Sequence, residues 1–481
     1  MLFNSFAYLI FFPLVFLFYW LFSSRSSKLQ NIFLLSVSYF FYAWWNWRFL
    51  SLIILCSLVN FVAGLLLMKT QIHKYRRAII FVCCIICLGV LGIFKYYDFF
   101  IISLKDLLSP LNININVSAL NLILPVGISF YTFHTLTYTI EVYKGKFQPT
   151  KDIVSFFLFV SIFPLAMAGP IERATNLLPQ IYKKRILNYA DVSSGLKLIL
   201  WGFFMKVAIA DRLSVYVDSV YDNAQYHTGS TLIVATIFFS FQIYCDFAGY
   251  SSIALGCGKL LGFNFLKNFN RPYLAVSVAD FWKRWHISLS SWFRDYVYIP
   301  LGGNRCTTAR NYYNLMITFL VSGLWHGANW TFVVWGGLNG LLQAIEKFYT
   351  AKMKGKIWKK SSSLATGKMK KVFDIIVTFI LISFTWVFFR ADSISDALLI
   401  IKKIFQFEGK LFTNNIDSLV YGSVLIVSLI ISDILQENNS GAHYFLDSKY
   451  KCIRYTTYLA LVLIILMIGV FDGSQFIYFQ F

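Results

Sequence analysis

Charged residues are scarce in this sequence. Only 14% of its 481 residues are Asp, Glu, Lys or Arg, whereas 58% are hydrophobic, and the mean hydropathy is +0.63. Soluble domains usually carry about 25% charged and about 45–50% apolar residues. Length alone would suggest roughly two to four soluble domains. Because the apolar residues form long runs without charge, the chain is instead interpreted as an integral membrane protein.

Acidic residues are the rarer charged class, with 22 Asp and Glu against 43 Lys and Arg, which gives a net charge of +21. In a soluble protein this excess would suggest nucleic acid, but no nucleic-acid module is recognisable and none is expected as a partner. The basic residues lie in short segments between apolar runs. This pattern favours the positive-inside bias and attraction to anionic membrane lipids. The alternative is that part of the charge steers an anionic acyl donor or acceptor.

Several catalytic and metal-binding patterns are also missing. The sequence contains no H-E-x-x-H and no zinc-type cysteine spacing, and it lacks the G-x-S-x-G nucleophile motif. Cys83, Cys84 and Cys87 lie together in an apolar run without a neighbouring His or acid, which favours packing over metal binding. We therefore expect no metal and no permanently bound cofactor.

Long apolar runs predict the fold class. A helix needs about 20 apolar residues to cross the hydrocarbon core, and the alternation typical of strands is absent. Because backbone groups in lipid must pair internally, we expect an all-α polytopic protein with roughly ten to thirteen membrane elements. The runs are 1–24, 30–47, 49–68, 78–94, 107–140, 153–171, 223–245, 311–345, 375–389, 418–432 and 455–471, with a weaker one at 196–210.

The organisation expected is one integral membrane domain over residues 1–481. Within it we distinguish N-terminal helices (1–110), a catalytic core (120–345), a basic loop (346–371) and C-terminal helices (372–481). The N-terminal run has no basic start and no clear cleavage site, so it is interpreted as a retained first span.

Basic residues predict the orientation of the first spans. Arg25 and Lys28 follow the first run and a Lys/Arg cluster at 69–77 follows the third, while only Arg48 separates the second and third. The positive-inside rule then places the N-terminus outside the cytoplasm. The basic loop is expected to be cytoplasmic, and its lysines are Lys352, Lys354, Lys356, Lys359, Lys360, Lys368, Lys370 and Lys371.

The segment 268–305 is aromatic and charged at once, and it contains His286. It suits neither a lipid-facing helix nor a solvated loop. We predict short helices lying at or dipping into the membrane interface, with Trp282, Trp285 and Trp292 as anchors. The alternative is an interfacial amphipathic helix without chemistry.

A second histidine, His326, lies near the middle of the run 311–345, which contains no Asp, Glu, Lys or Arg. Gly323 and Gly327 flank it and weaken the helix locally. An ionisable residue at membrane depth usually marks a functional site. The alternative is a packing hydrogen bond between helices.

The chemistry best suited to a buried histidine is general-base catalysis. Burial keeps the imidazole neutral, so that it can take the proton of a hydroxyl that attacks an acyl carbon. Asp246 is a third candidate, because it lies in an apolar run and needs a partner there. For Asp246 a structural hydrogen bond is favoured over a catalytic role.

At these residues the sequence resembles the membrane-bound O-acyltransferase (MBOAT) family, and in particular its bacterial alginate and peptidoglycan O-acetylation branch. The resemblance covers essentially the whole chain. The matching stretches are LPVGISFYTFHTLTYTIEVYKG from Leu124, FPLAMAGPI from Phe163, FQIYCDFAGYS from Phe241, FWKRWHISLSSWFRDYVYIPLGGNR from Phe281, GLWHGANWTFVVWG from Gly323 and FIYFQF from Phe476.

The resemblance implies a ring of tilted transmembrane and re-entrant helices around a central tunnel, with His326 as the catalytic histidine and His286 as its active-site companion. It also implies a bacterial cytoplasmic membrane location. An acyl thioester, acetyl-CoA or an acyl carrier protein, would donate from the cytoplasm. A separate extracytoplasmic acetyltransferase or esterase-like partner would complete O-acylation of a polysaccharide such as alginate or peptidoglycan.

Further candidate residues of the substrate tunnel follow from this reading. They are Trp285, Ser290, Arg294, Asp295, Trp325, Asn329 and Asp246. For Arg294 and Asp295, simple ionic pairing is the alternative. Three other functions remain open: D-alanyl transfer to teichoic acid, a transporter or flippase whose histidines relay protons, and a scaffold for polysaccharide secretion.

Overall fold

A computed structural model describes residues 1–23, 25–113, 116–166, 169–353, 364–413, 416–439, 443, 445–471 and 477. The described residues form helices and irregular segments without any β-strand, which confirms the all-α prediction. They divide into two compact units, residues 1–199 with 253–266 and residues 200–252 with 267–481. The single domain expected over residues 1–481 stays a prediction.

The α-helices are numbered in chain order. The first ten are α1 (Phe6–Phe22), α2 (Ser27–Asn46), α3 (Leu50–Lys69), α4 (His73–Leu91), α5 (Tyr97–Leu108), α6 (Ile128–Tyr143), α7 (Ile153–Ser161), α8 (Phe163–Ala166), α9 (Ala174–Tyr182) and α10 (Tyr189–Phe203). The others are α11 (Asp211–Tyr221), α12 (Gly229–Leu260), α13 (Val278–Arg284), α14 (Ile287–Phe293), α15 (Thr308–His326), α16 (Trp330–Met353), α17 (Leu364–Arg390), α18 (Ile394–Gln406), α19 (Ile416–Asn438) and α20 (Lys451–Ile468).

Seven helical stretches of the described chain are long and apolar enough to cross a membrane. They are Ser27–Lys69, His73–Leu111, Tyr189–Tyr221, Gly229–Leu260, Gly367–Arg390, Ile416–Asn438 and Lys451–Ile468. The apolar helix α1 is shorter, with 17 residues. These lengths support the prediction of a multi-pass membrane protein.

Several predicted membrane runs are not continuous helices, and two of them show the cause. In the run 107–140, α5 ends at Leu108 and the next α-helix begins only at Ile128. Pro125 and the left-handed Gly127, at φ 75°, lie just before that start and interrupt helical hydrogen bonding. The run 153–171 divides in the same way into α7 and the single turn α8.

The predicted basic loop is shorter than expected. Helix α16 continues to Met353 and α17 begins at Leu364, so both ends of the segment 346–371 are helical. Lys and Glu are good helix formers, and long Lys side chains can reach the membrane surface from a helix end. Lys354, Lys356, Lys359 and Lys360 lie outside the described residues. Of the C-terminal FIYFQF motif, only Ile477 is described.

Two cysteines of the first unit form hydrogen bonds with a buried amide. Asn60 on α3 donates from Nδ2 to Sγ of Cys87 at 3.1 Å, and its Oδ1 accepts from Sγ of Cys83 at 3.0 Å. The hydroxyl of Thr139 donates to the same Oδ1 at 2.6 Å. Helices α3, α4 and α6 are thus joined by side-chain hydrogen bonds, as is common in membranes.

A second polar cluster in the first unit centres on Glu172. Its backbone N–H donates to Nε2 of His134 on α6 at 2.7 Å. The carboxylate accepts the N–H of Leu266 at 2.5 Å and Nδ2 of Asn176 at 2.6 Å. Burial raises the pKa of Glu172 to about 7, although these hydrogen bonds act in the opposite direction.

Aromatic rings form much of the core of the second unit. Trp285, Trp335 and Trp386 are each no more than 1% exposed. The Trp386 ring stacks on Trp335 with centroids 5.6 Å apart and lies 5.1 Å from the Trp285 ring. This core joins α13, α16 and α17, the helices that surround the candidate site.

Candidate active site

The hairpin of α15 and α16 sets the position of His326. Helix α15 ends at His326, and α16 begins four residues later at Trp330. Gly327 follows the last residue of α15 and has an extended backbone. The prediction that this glycine weakens the helix is therefore confirmed. Gly323 remains helical instead, and a Cβ there would overlap the carbonyl oxygen of Phe332. The glycine therefore permits close approach of the two helices rather than breaking one.

Aromatic rings enclose the His326 imidazole, which is 3% exposed. The ring centroid lies 4.9 Å from Trp325, 5.0 Å from Trp335 and 5.5 Å from Phe389, all edge-to-face. Such rings fix the orientation of an imidazole and exclude water. A buried histidine in these surroundings is suited to act as a neutral base.

His286 lies in the turn between α13 and α14. Its backbone is in the left-handed region, at φ 42° and ψ 54°, which is uncommon for a residue with a Cβ. The imidazole packs edge-on against Phe247 at 4.6 Å and lies 6.1 Å from the Trp325 ring. Trp325 thus contacts both histidines. Burial lowers the pKa of His286 to about 3, so this imidazole is neutral near pH 7.

The membrane-anchor interpretation of this segment is wrong for Trp285 and Trp292. Their side chains are 0% and 9% exposed, so they pack inside the protein. Trp285 stacks on Phe281 at 5.4 Å. These two rings therefore belong to the protein core. An aromatic ring is removed from water by packing against other side chains just as it is at the membrane interface.

A cavity of about 450 Å³ in the second unit reaches both histidines. Of the residues predicted from sequence, His286, His326, Ser290 and Arg294 line it, whereas Trp285, Trp325, Asn329, Asp246 and Asp295 do not. The functions assigned to all of these residues remain predictions. Lining residues that were not predicted from sequence include Lys283, Tyr298, Thr318, Ser322 and Gln343. Lys283 and Tyr298 lie in the segment 268–305, where the many other polar and aromatic residues gave no reason to select them. Thr318, Ser322 and Gln343 lie in the apolar run 311–345, where no sequence signal distinguishes them.

Charge is one-sided in this cavity. The charged side chains that line it are Lys283 and Arg294, and its described lining contains no acidic residue. Arg294 is 62% exposed at the side chain and its Nε lies 2.8 Å from Oδ1 of the neighbouring Asp295. The cavity therefore joins two buried imidazoles to a basic rim, which suits an anionic ligand with an uncharged reacting end.

Asp246 and Asn329 lie at other places in the second unit. Asp246 forms an ion pair with Lys206 at 2.5 Å and accepts the N–H of Ile477 at 2.8 Å. Asn329 donates from Nδ2 to the backbone oxygen of Asp392 at 3.0 Å. Lys206 was not among the residues predicted from sequence, because Asp246 is distant from it along the chain.

The chain is similar in sequence to known membrane proteins. The model for the membrane-bound O-acyltransferase family matches residues 147–390. A probable alginate O-acetylase of Azotobacter vinelandii is 36% identical over 437 residues, covering 90% of this chain and 84% of that protein. A peptidoglycan O-acetyltransferase of Helicobacter pylori is 32% identical, covering 100% of this chain and 98% of that protein. A teichoic acid D-alanyltransferase of Bacillus subtilis is 28% identical, covering 56% of this chain and 69% of that protein.

Proposed function

Because the chain belongs to the membrane-bound O-acyltransferase family, we propose that it moves an acetyl group from a cytoplasmic thioester to a hydroxyl of a cell-surface or secreted polysaccharide. The protein is a multi-pass membrane O-acyltransferase. The observation that carries the finer proposal is the cavity that joins His286 and His326 to a basic rim without acidic lining.

In the proposed reaction, His326 acts as general base. Its neutral imidazole takes the proton of the attacking hydroxyl while the hydroxyl oxygen forms a bond to the thioester carbonyl carbon. The carbon–sulfur bond then breaks, and the leaving thiolate takes the proton back from the imidazolium. His286 positions the donor or acceptor, or shares the proton. The enclosure of His326 by three aromatic rings supports this role, because it holds the ring and excludes water.

The donor we propose is acetyl-CoA or an acetylated acyl carrier protein. Both present the acetyl thioester on a phosphopantetheine arm, which is narrow, uncharged near the sulfur and anionic at its far end. Lys283 and Arg294 on the lining support this choice, because they can attract the phosphate while the thioester lies near the histidines.

An acetyl group is favoured over a D-alanyl group. A D-alanyl thioester carries an ammonium beside the reacting carbonyl, and the described lining of the cavity offers no acidic side chain to pair with it. Two relatives that cover most of the chain are named for O-acetylation. D-alanyl transfer to teichoic acid is the second candidate, because a more distant relative is named for it.

We propose that the basic rim of the cavity, Lys283 and Arg294, faces the cytoplasm. In the hairpin of α15 and α16, Lys347 donates to Oδ1 of Asn311 at 2.5 Å, so the start of α15 lies beside the end of α16 that leads into the basic segment 346–371. Tyr298 and Gln343 on the cavity lining lie toward this end in sequence, and His326 lies at the other. With the positive-inside rule, this arrangement supports donor entry from the cytoplasm.

The remaining parts of the proposal concern location and assembly. We place the enzyme in a bacterial cytoplasmic membrane with an extracytoplasmic N-terminus. The acetyl group would leave on the extracytoplasmic side as an ester of the hydroxyl that attacked the thioester, and an acetyltransferase or esterase-like partner would transfer it from that carrier to an alginate-like polymer or peptidoglycan. The names of the two O-acetylating relatives support this choice of acceptor.

The test is the ester content of surface polysaccharides in cells that produce the wild type or His326→Ala at equal membrane levels. We expect acetyl esters to disappear from one polymer in the variant. Loss of D-alanyl esters instead would identify the second candidate. Survival of every ester would overturn the catalytic role of His326 and favour a transporter or scaffold.

A further inference from the structure

The turn that carries His286 is held by a separate segment of chain, residues 268–270. The N–H of Asn270 donates to the carbonyl of Arg284 at 2.9 Å, just before the turn. The N–H of Ile287 donates to the carbonyl of Asn268 at 2.9 Å, just after it. Two backbone hydrogen bonds therefore bracket Trp285 and His286.

The side chain of Asn268 adds a third connection. Its Oδ1 accepts both the backbone N–H of Ser288, at 3.2 Å, and the Ser288 hydroxyl, at 2.6 Å. Ser288 lies in the first turn of α14, where backbone N–H groups have no partner within the helix. The residue at the N-cap position itself is His286, and its imidazole does not cap the helix.

From this geometry we propose that Asn268 is a positioning residue for the acyl transfer reaction: it caps α14 in place of His286 and so holds the His286 imidazole in the cavity. The inference rests on the proposed function in assigning His286 to the active site. Asn268 does not line the cavity, so it acts through His286 rather than on the substrate.

The backbone of His286 explains why such support is needed. A left-handed conformation is unfavourable for a residue with a Cβ, and it persists only where its surroundings determine it. N-cap residues are usually Ser, Thr, Asn or Asp, whose side chains accept the free N–H groups. Asn268 is 2% exposed and supplies this acceptor from outside the helix. The helix N-terminus is therefore capped without the imidazole, which lines the cavity.

The test compares three variants in inside-out membrane vesicles supplied with acetyl-CoA. Asn268→Leu removes the acceptor, Asn268→Asp retains it, and Ser288→Ala removes the hydroxyl but keeps the N–H that is capped. We expect Asn268→Leu to lower kcat by about tenfold or more with little change in KM for acetyl-CoA. Asn268→Asp and Ser288→Ala should stay within about threefold of the wild type.

The pH dependence of kcat separates positioning from a loss of folded protein. A displaced His286 would gain water, and its pKa would return from about 3 toward its ordinary value of 6.5. Asn268→Leu should therefore acquire a new loss of kcat on the acid side, whereas a partly unfolded population would only scale the wild-type curve. An unshifted curve, or equal damage in Asn268→Leu and Asn268→Asp, would overturn the inference.

Variants of the two histidines distinguish a failure of the proposed function from a failure of the role proposed for Asn268. If His286→Ala or His326→Ala transfers acetyl groups like the wild type, the assignment of the histidines is wrong. If both variants are inactive while Asn268→Leu behaves like the wild type, only the positioning role of Asn268 is wrong.

Discussion

The ammonium of Lys206 lies 2.5 Å from Oδ1 of Asp246, and both side chains are almost completely buried. A second acid, Asp211, accepts from the same ammonium at 2.7 Å. Lys206 lies in a π-helical segment, Phe204–Ala210, and such segments are frequent at functional sites. This buried charge cluster joins α12 to the segment between α10 and α11.

Removal of the Lys206 charge should destabilise the protein strongly. Lys206→Met leaves two buried carboxylates facing each other, and we expect a loss of about 3–5 kcal/mol. Asp246→Asn leaves one ion pair intact and keeps an oxygen for the Ile477 N–H, so its loss should be only about 1–2 kcal/mol. Thermal unfolding in detergent measures both variants. Equal losses of unfolding free energy in Lys206→Met and Asp246→Asn would contradict an arrangement in which Lys206 is shared by Asp211 and Asp246.

Because α15 and α16 pack closely, we expect alanine to have different effects on stability at two adjacent glycines of α16, Gly336 and Gly337. A Cβ at Gly336 would overlap the carbonyl oxygen of Phe319 and lie 3.1 Å from Cα of Gly323. At Gly337 a Cβ would meet only Cδ2 of Leu320, at 3.5 Å. Gly336→Ala should destabilise the protein by about 1–3 kcal/mol and displace His326, thereby lowering activity.

Gly337→Ala is the matched control for this pair. It should gain up to about 1 kcal/mol from helix propensity and retain activity. Both alanines remove the same backbone freedom, so the difference in melting temperature between them reports the close approach alone. Two variants with the same melting temperature would contradict the packing described.

The basic rim predicts how the donor is recognised. Arg294→Gln should raise KM for acetyl-CoA by about two- to fivefold, because an exposed charge contributes modestly to binding. The KM for acetyl-N-acetylcysteamine, a thioester without phosphate, should not change. Arg310→Gln is the control, since Arg310 is exposed but does not line the cavity. An unchanged KM for acetyl-CoA would leave the ion pair with Asp295 as the function of Arg294.

Glu172 predicts a pH dependence of stability. Its folded-state pKa of about 7 lies above the ordinary value of 4.5, so the folded protein holds this proton more tightly than the unfolded chain. The stability that the folded protein gains from protonated Glu172 is fully present below pH 4.5 and is lost as pH rises to about 7. Glu172→Gln mimics the protonated form and removes the titration.

The measurement for Glu172 is the difference in melting temperature between Glu172→Gln and the wild type across this pH range. The difference should be small at the acid end and grow toward pH 7, where the variant is the more stable. A constant difference would contradict the buried, proton-holding state of Glu172.

Much of the membrane architecture follows from the sequence, because length and apolarity decide whether a helix can cross lipid. The run 107–140 was mispredicted because it is apolar throughout, and its prolines and Gly127 determine the backbone more than hydropathy does. His286 and His326 could be selected from sequence, since ionisable residues are rare in apolar surroundings.

Other parts of the site could not be predicted, because they depend on contacts between distant residues. The Asn268 side chain reaches Ser288 only through the folded turn. The partners of Asp246 are Lys206 and the backbone of Ile477, separated from it along the chain. Lys283 and Gln343 line the cavity from amphipathic helices, where a polar residue is as consistent with exposure as with a site.

The most direct test of the catalytic role of His326 uses inside-out membrane vesicles supplied with radiolabelled acetyl-CoA. The quantity measured is the amount of label that enters base-labile esters in the vesicle lumen. The vesicles would contain the wild type, His326→Ala, or the control His73→Ala, whose exposed imidazole begins α4. We expect the wild type and His73→Ala to incorporate label equally, and His326→Ala to fall by about a hundredfold or more. Incorporation by His326→Ala at the wild-type rate would contradict the assignment of His326 as the catalytic base.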